Sequence, residues 1–326
     1  MNQPTLFSRR RMLAASGTAA LATTLPALAQ NEQPLRIYVG FPPGGSGDLF
    51  ARILADGMRD ELNRAVVVEN KPGAGGMTVA IGFMRAPKDG NHLMLATGST
   101  AVAAPVSRAK SPYSPIDDFQ WLSLLSNAPF VIAANPAVPV TNMKELVEYA
   151  KSRPGKLSYG HAGLGTTVHL AGELLKDQAG INILDVPYAG SGPAITDTIS
   201  GNVQFIIETT GTLAPHAKSG RLRIISCMAE AREKIAPEVP TCREAGLDVV
   251  AGTYNLLAVP SGTPPELADR LARAAMRTME KPGVQEKLVG LGITPVLGST
   301  PTQARAFMAA EIGRWSAVTK KLGIAL

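Results

Sequence analysis

The sequence predicts an α/β fold with a largely parallel sheet, divided between two domains. Three observations carry this: short apolar runs alternate with amphipathic stretches from residue 35 onward, Gly-rich turns separate them, and the chain is 326 residues long. That length exceeds the size at which one hydrophobic core usually stops growing, and a hydrophobic content of 45% is enough for two.

Taken in order, the pattern gives a strand over Leu35–Phe41, a helix over Leu49–Leu62, a strand over Ala65–Glu69, a Gly-rich turn and a helix over Val79–Met84. Strands follow at His92–Thr97 and Phe130–Ala134. Asn142 with Glu145 three residues on supplies a helix start, and Pro154-Gly155 stops that helix near Ser152. The cycle then repeats: strand Leu157–Gly160, helix Thr167–Gln178, strand Ile183–Pro187, helix Pro193–Ile199, strand Val203–Ile207. Two long helices close the chain. Thr263-Pro264-Pro265-Glu266 and Thr300-Pro301-Thr302-Gln303 both read as capping boxes with Pro at the first helical position, and Gly323 reads as the final C-cap.

The N-terminus reads as a removable leader. Ser8-Arg9-Arg10-Arg11-Met12-Leu13 precedes a short apolar run and Ala27-Leu28-Ala29, the three parts of a signal peptide with a twin-arginine flavour. The run from Met12 to Leu28 is broken by Ser, Gly, Thr and Pro, too interrupted for a membrane span. A mature chain is expected from about Gln30, in the periplasm. Loss of residues 1–29 removes three arginines and no acid, so 32 basic residues become 29 against 26 acids and the net charge falls from +6 to +3. The basic residues are scattered and aromatics make up only 5%, so the charged stripe with stacking platforms that nucleic acids require is missing. Cys227 and Cys242 would meet an oxidising compartment, either as one disulfide or as two buried thiols.

Four Gly-rich turns adjoin strands and helices: Gly44–Gly47, Gly73–Gly76, Gly163–Thr167 and Gly190–Gly192. Backbone N–H groups there can approach a ligand closely, and a helix N-terminus adds free donors and partial positive charge. Several such ends converging would hold a carboxylate without an arginine. The segment from Tyr38 to Asp48 also resembles that from Asp185 to Pro193, each a strand, an aromatic, a Gly/Ser turn and a helix start. Placed at the carboxyl ends of strands, the two would face each other across a cleft.

Phosphate-binding and catalytic alternatives fit poorly. Gly40–Gly45 has P-loop spacing but continues with Ser46-Gly47 instead of Lys-Ser/Thr, and Gly73-Ala74-Gly75-Gly76-Met77-Thr78 misses the last glycine of a dinucleotide fingerprint. No G-x-S-x-G elbow marks Ser46 or Ser191 as a nucleophile. The four histidines, His92, His161, His169 and His216, lack metal-ligand spacing, so neither a metal nor a cofactor is expected. His161 and His169 flank a Gly-rich turn, where they either touch ligand or stand behind or outside the site. Asp48 either caps a helix start or contacts ligand, and Glu208, after an apolar strand, either meets a ligand ammonium or hydroxyl or pairs with Lys or Arg between the lobes.

Four ordered motifs then coincide: Phe41-Pro42-Pro43-Gly44-Gly45-Ser46-Gly47-Asp48, Val68 to Gly76, Val186 to Ala194, and Val239 to Gly246. Together they resemble the extracytoplasmic solute receptors of tripartite tricarboxylate transporters, the Bug family, over nearly the whole mature chain. The resemblance implies a two-lobed periplasmic-binding-protein fold of type II-like form, with ligand enclosed between a first lobe of residues 30–126 and 231–326 and a second of 127–230. It implies ligand contacts at Gly44, Gly45, Ser46, Asp48, Gly73, Gly75, Ser99 and Thr100 in the first lobe, and at Gly163, Thr166, Thr167, Tyr188, Gly190 and Glu208 in the second. Family members often carry Asp where this chain has Glu208, and again where it has Gln204. The function implied is capture of a small organic carboxylate by a monomer and delivery to a membrane permease, with no chemistry and no cofactor. A sensor presenting ligand to a membrane signalling protein, and an exported enzyme built on Ser46 or Asp48, are the alternatives.

Overall fold

Strand β1 (Leu35–Val39) buries Leu35, Ile37 and Val39 completely and lies between β2 (Val66–Asn70) and β3 (His92–Thr97), parallel to both. Helices cover both faces of such strands, which is why their apolar run is continuous instead of alternating. The arrangement recurs further along the chain: β5 (Ser158–His161) lies between β6 (Leu184–Pro187) and β7 (Phe205–Thr209), again parallel to both.

Two long strands join these triplets. β4 (Phe119–Ala134) and β9 (Gly252–Pro260) run antiparallel to one another and to their other neighbours. The order is β2-β1-β3-β9-β4-β7-β5-β6, with β8 (Arg223–Cys227) and β10 (Thr294–Pro295) also paired to β4. The expectation of parallel pairing therefore holds in the outer triplets and gives way to antiparallel pairing at the centre. β4 changes partner midway: Phe119–Pro129 pairs with β9, whereas Phe130–Ala134 pairs with β7 and β8. Gly252, opposite Pro129, approaches so closely that a Cβ there would lie 2.6 Å from the Ala128 carbonyl oxygen.

The helices are α1 (Ser46–Leu62), α2 (Met77–Phe83), α3 (Ala104–Val106, after a π-type turn at Ser99–Ala103), α4 (Met143–Lys151), α5 (Thr167–Ala179), α6 (Ser191–Ser200), α7 (Thr210–Lys218), α8 (Pro265–Glu280), α9 (Pro282–Gly290) and α10 (Pro301–Leu322). These elements belong to residues 33–326, which the computed structural model describes, and the leader expected at residues 1–29 lies outside them. Among the described residues no helix is long and apolar enough to cross a membrane.

Helix starts show which local signals were sufficient. Asn142 accepts from the Glu145 N–H, and Thr300 with Gln303 forms the full capping box, as their spacing predicts. Thr263 does not cap α8: its hydroxyl donates to the Pro260 carbonyl and Pro264 occupies the N-cap position. Helices α1 and α6 begin three and two residues earlier than the sequence suggests, because Gly45 and Gly190 take the cap positions. Cys227 and Cys242 are both buried free thiols, which decides against the disulfide. Burial pushes the Cys242 thiol up to about 11.

Helix α10 packs on β4 and α5 and ties the end of the chain to both halves of the sheet. Its Ala304, Met308 and Trp315 are fully buried, the Trp315 indole N–H donates to Glu311 at 3.1 Å, and Lys321 pairs with Asp177 of α5 at 2.5 Å. Trp315→Ala should lower unfolding stability by about 3–5 kcal/mol, the usual result of emptying a large aromatic site. Urea denaturation checks this; a loss below about 1 kcal/mol would show that α10 is not packed as described.

Candidate functional site

The turn between β1 and α1 is held open by Asp48. Its carboxylate accepts from the Gly44 N–H (2.9 Å), from Arg52 Nε and Nη2 (both 3.0 Å) and from Asn70 Nδ2 (2.9 Å), while Asn70 also donates to the Phe41 carbonyl. Burial pushes this carboxyl up, but those bonds and the Arg52 charge outweigh it and hold it below its ordinary value. Asp48 thus ties the Gly44 turn to Arg52 of α1 and to Asn70 at the end of β2, and it does not line the cavity described below. Gly44 itself sits at φ +88°, a conformation that favours glycine.

The matching turn between β6 and α6 lies opposite. Gly190 has φ +114° and ψ 173°, and a Cβ there would stand 3.2 Å from the Pro42 ring. The two turns with similar sequences thus face each other directly. A third turn, between β5 and α5, brings Thr167 against Ser99: the Thr167 N–H donates to Ser99 Oγ at 3.0 Å, and the two hydroxyls lie 3.1 Å apart.

These three turns enclose a cavity of about 200 Å³, small beside the roughly 300–1,000 Å³ of sites for drug-sized molecules. Its walls are the Phe41–Gly47 turn, the Ala189–Pro193 turn, Ala162 with Thr167 and Val168, and side chains from Thr97, Ser99, Phe130, Glu208 and Thr253. The N-termini of α1, α5 and α6 meet here. Neither Gly45 nor Gly190 offers a side-chain acceptor, so the first N–H groups of α1 and α6 have no partner inside their helices or from a cap. Thr97 Oγ1, also in the wall, is buried without a hydrogen-bond partner. Glu208 is the sole ionisable side chain of the wall among the described residues, and no Lys or Arg reaches it.

Of the ligand contacts implied by the family resemblance, Gly44, Gly45, Ser46, Ser99, Thr167, Gly190 and Glu208 line this cavity, and the others do not. Gly73 and Gly75 belong to a turn packed beside the α5 turn, where a Cβ on Gly75 would lie 3.4 Å from the Leu164 carbonyl oxygen. Thr100 packs against Gly76 in the same region. Thr166 caps α5 and donates to the Gly163 carbonyl at 2.6 Å, and Tyr188 covers Gly160 while donating to Asp197 at 2.8 Å. Thr97, Phe130 and Thr253 were missed because they come from strands that reach the cavity only in the folded chain. Thr97 alone left a trace, as a polar residue ending an apolar strand.

His161 and His169 stand behind the wall, buried and ring to ring at 4.9 Å, with Asp185 Oδ2 3.6 Å and 4.0 Å from their Nε2 atoms. These three donors are close enough to be considered as a metal set, which their sequence spacing did not suggest. The hydrogen bonding works against ligation. His169 Nδ1 accepts from the Gly165 N–H at 3.3 Å, which leaves the proton on Nε2, the atom that would have to bind. Burial, then the neighbouring His169, pushes the His161 imidazole down to about 4.

A glycine-lined cavity at the meeting of helix N-termini, set between two α/β halves joined by long strands, defines a solute-binding protein with the two-lobed periplasmic-binding-protein fold. The chain belongs to the tripartite tricarboxylate transporter receptor family, whose model matches residues 50–324. It is 34% identical to protein BugT of Bordetella pertussis over 97% of this chain and 98% of that one. The periplasmic binding protein BugD superposes with a TM-score of 0.86 at 31% identity, covering 90% of this chain and 98% of its own. Rpa4515 of R. palustris with adipate (TM-score 0.86, 29% identity, 90% and 98% covered) and MatC of Rhodopseudomonas palustris with bound malate (0.83, 29%, 87% and 98%) share the fold.

A group whose folded-state pKa is depressed, as for His161, leaves the unfolded chain binding more protons between about pH 6.5 and 4, so stability falls as pH drops through that window. Between about pH 7 and pH 5, His161→Gln should remove on the order of 2 kcal/mol from the loss seen in the native protein. Urea midpoints at the two pH values measure it. An equal pH slope in both proteins would show that His161 is not a buried neutral imidazole.

Proposed function

We propose that this chain is a periplasmic receptor that closes on a small organic carboxylate and delivers it to a tripartite membrane transporter. The observation that carries this is the convergence of three helix N-termini on a small cavity with no cationic side chain, since backbone donors and helix dipoles are suited to a single compact anion. The adipate and malate held by structural relatives are small organic carboxylates. The lobes in this reading are residues 30–126 with 231–326, and 127–230, hinged where β4 changes partner and where the chain returns into β9. Export depends on the leader at residues 1–29, through the twin-arginine route. The receptor works as a monomer and catalyses nothing.

A thermal-shift screen of the mature protein tests the reading. A carboxylate that binds the native state should raise the melting temperature by mass action, and its neutral amide should not. An amide as effective as its acid would remove the anion site from the account. Gly190→Val should abolish the shift, because a side chain at φ +114° is strained and points at the Pro42 ring, whereas no single Lys substitution should matter. Retained binding in the Gly190 variant would sink the proposal that backbone geometry holds the ligand.

A further inference from the structure

Glu208 stands where an acid is costly. β7 is buried along its whole length, and Glu208 itself is only 4% exposed, opposite Val131 of β4. Burying an ionisable group without a partner is unfavourable, so its surroundings define what it still needs. Its Oε1 accepts from the Thr209 N–H at 2.8 Å and its Oε2 from the Ser191 hydroxyl, and no Lys, Arg or His pairs with it among the described residues. Ser191 is the first residue of α6, so the carboxyl group also lies at a helix N-terminus, where negative charge is favoured.

Burial pushes the Glu208 carboxyl above its ordinary value against the opposing Ser191 and Thr209 bonds; in its ionised form it offers about four lone-pair positions and only accepts. Two are filled here. Of the other side-chain donors in the wall, the hydroxyls of Ser46, Thr97, Ser99, Thr167 and Thr253, none hydrogen-bonds Glu208. The remaining capacity faces the cavity. Glu208 takes the Ser191 hydroxyl and no N–H of α6, so the uncapped ends of α1 and α6 both remain for a ligand's own carboxylate. A second ligand carboxylate close to an ionised Glu208 would set two acceptors against each other, while an ammonium or hydroxyl group would supply a donor.

Resting on the receptor reading, we propose that Glu208 determines specificity, selecting acids that carry a hydrogen-bond donor, an amino or hydroxyl group, over the plain acid of the same length. Leaving a buried acceptor unmatched typically weakens binding by roughly tenfold to a hundredfold.

The test is calorimetric titration of the purified protein with matched sets of acids, each differing only in the group beside the carboxylate: propionate, lactate and alanine; succinate, malate and aspartate; glutarate and glutamate. At least one donor-bearing acid should bind about tenfold or more tightly than its plain partner. In Glu208→Gln, which keeps shape and can still bond Ser191, that ratio should collapse for the amino acid, because an amide does not balance an ammonium charge. Plain acids binding as tightly as their partners, or a ratio unchanged in Glu208→Gln, would overturn the assignment while leaving the receptor reading intact. Binding of none of these acids by the native protein, with its melting curve intact, would overturn both.

Discussion

An anion taken into this cavity meets no basic side chain, so backbone N–H groups must stabilise it. That single constraint accounts for much of the local sequence. Donors can come close only where no side chain intervenes, and helix ends can donate only where no cap has consumed them, which explains Gly45 and Gly190 at the N-cap positions of α1 and α6. It also explains why the charged groups nearby are spent on support. Asp48, Arg52 and Asn70 satisfy one another and hold the Gly44 turn in shape, instead of pointing at the ligand.

The two walls are connected in different ways. Through β4 and β9 the connection is continuous backbone, with ladder hydrogen bonds to both parallel triplets. Elsewhere it is by side-chain and turn contacts: a pair of neutral contacts between Ser99 and Thr167, worth about 1 kcal/mol each, Gly190 beside Pro42, Gly75 beside the Leu164 carbonyl, and α10 on α5 with its Lys321–Asp177 pair. In the proposed opening, the second set would separate while the first bends. Ligand bridging the two turns would then supply much of the free energy that keeps the cavity shut.

Glu208 and the His161–His169–Asp185 group show opposite solutions to burying ionisable groups. Burial favours neutral imidazoles, which lie ring beside ring at a tilt and turn toward a half-buried acid outside the cavity. Glu208 keeps partners on the protein side only, leaving its other face to whatever occupies the cavity. A structural role is complete in the first case; in the second, the proposed ligand contact would complete it.

Local signals in the sequence sufficed wherever one turn or one periodic run decided the outcome. Both parallel triplets, the Asn142 and Thr300 caps, the end of α10 at Gly323 and the facing pair of Gly/Ser turns belong to this group, because strand burial, capping and positive φ depend on neighbours within a few residues. Tertiary structure alone decided the antiparallel centre, the early starts of α1 and α6, and the failed cap at Thr263. It also decided which candidates reach the cavity, drawing in Thr97, Phe130 and Thr253 from separate strands and leaving Asp48, Thr166 and Tyr188 to brace the turns. A cavity wall is formed by contacts between residues far apart in the chain, and no local spacing encodes those distances.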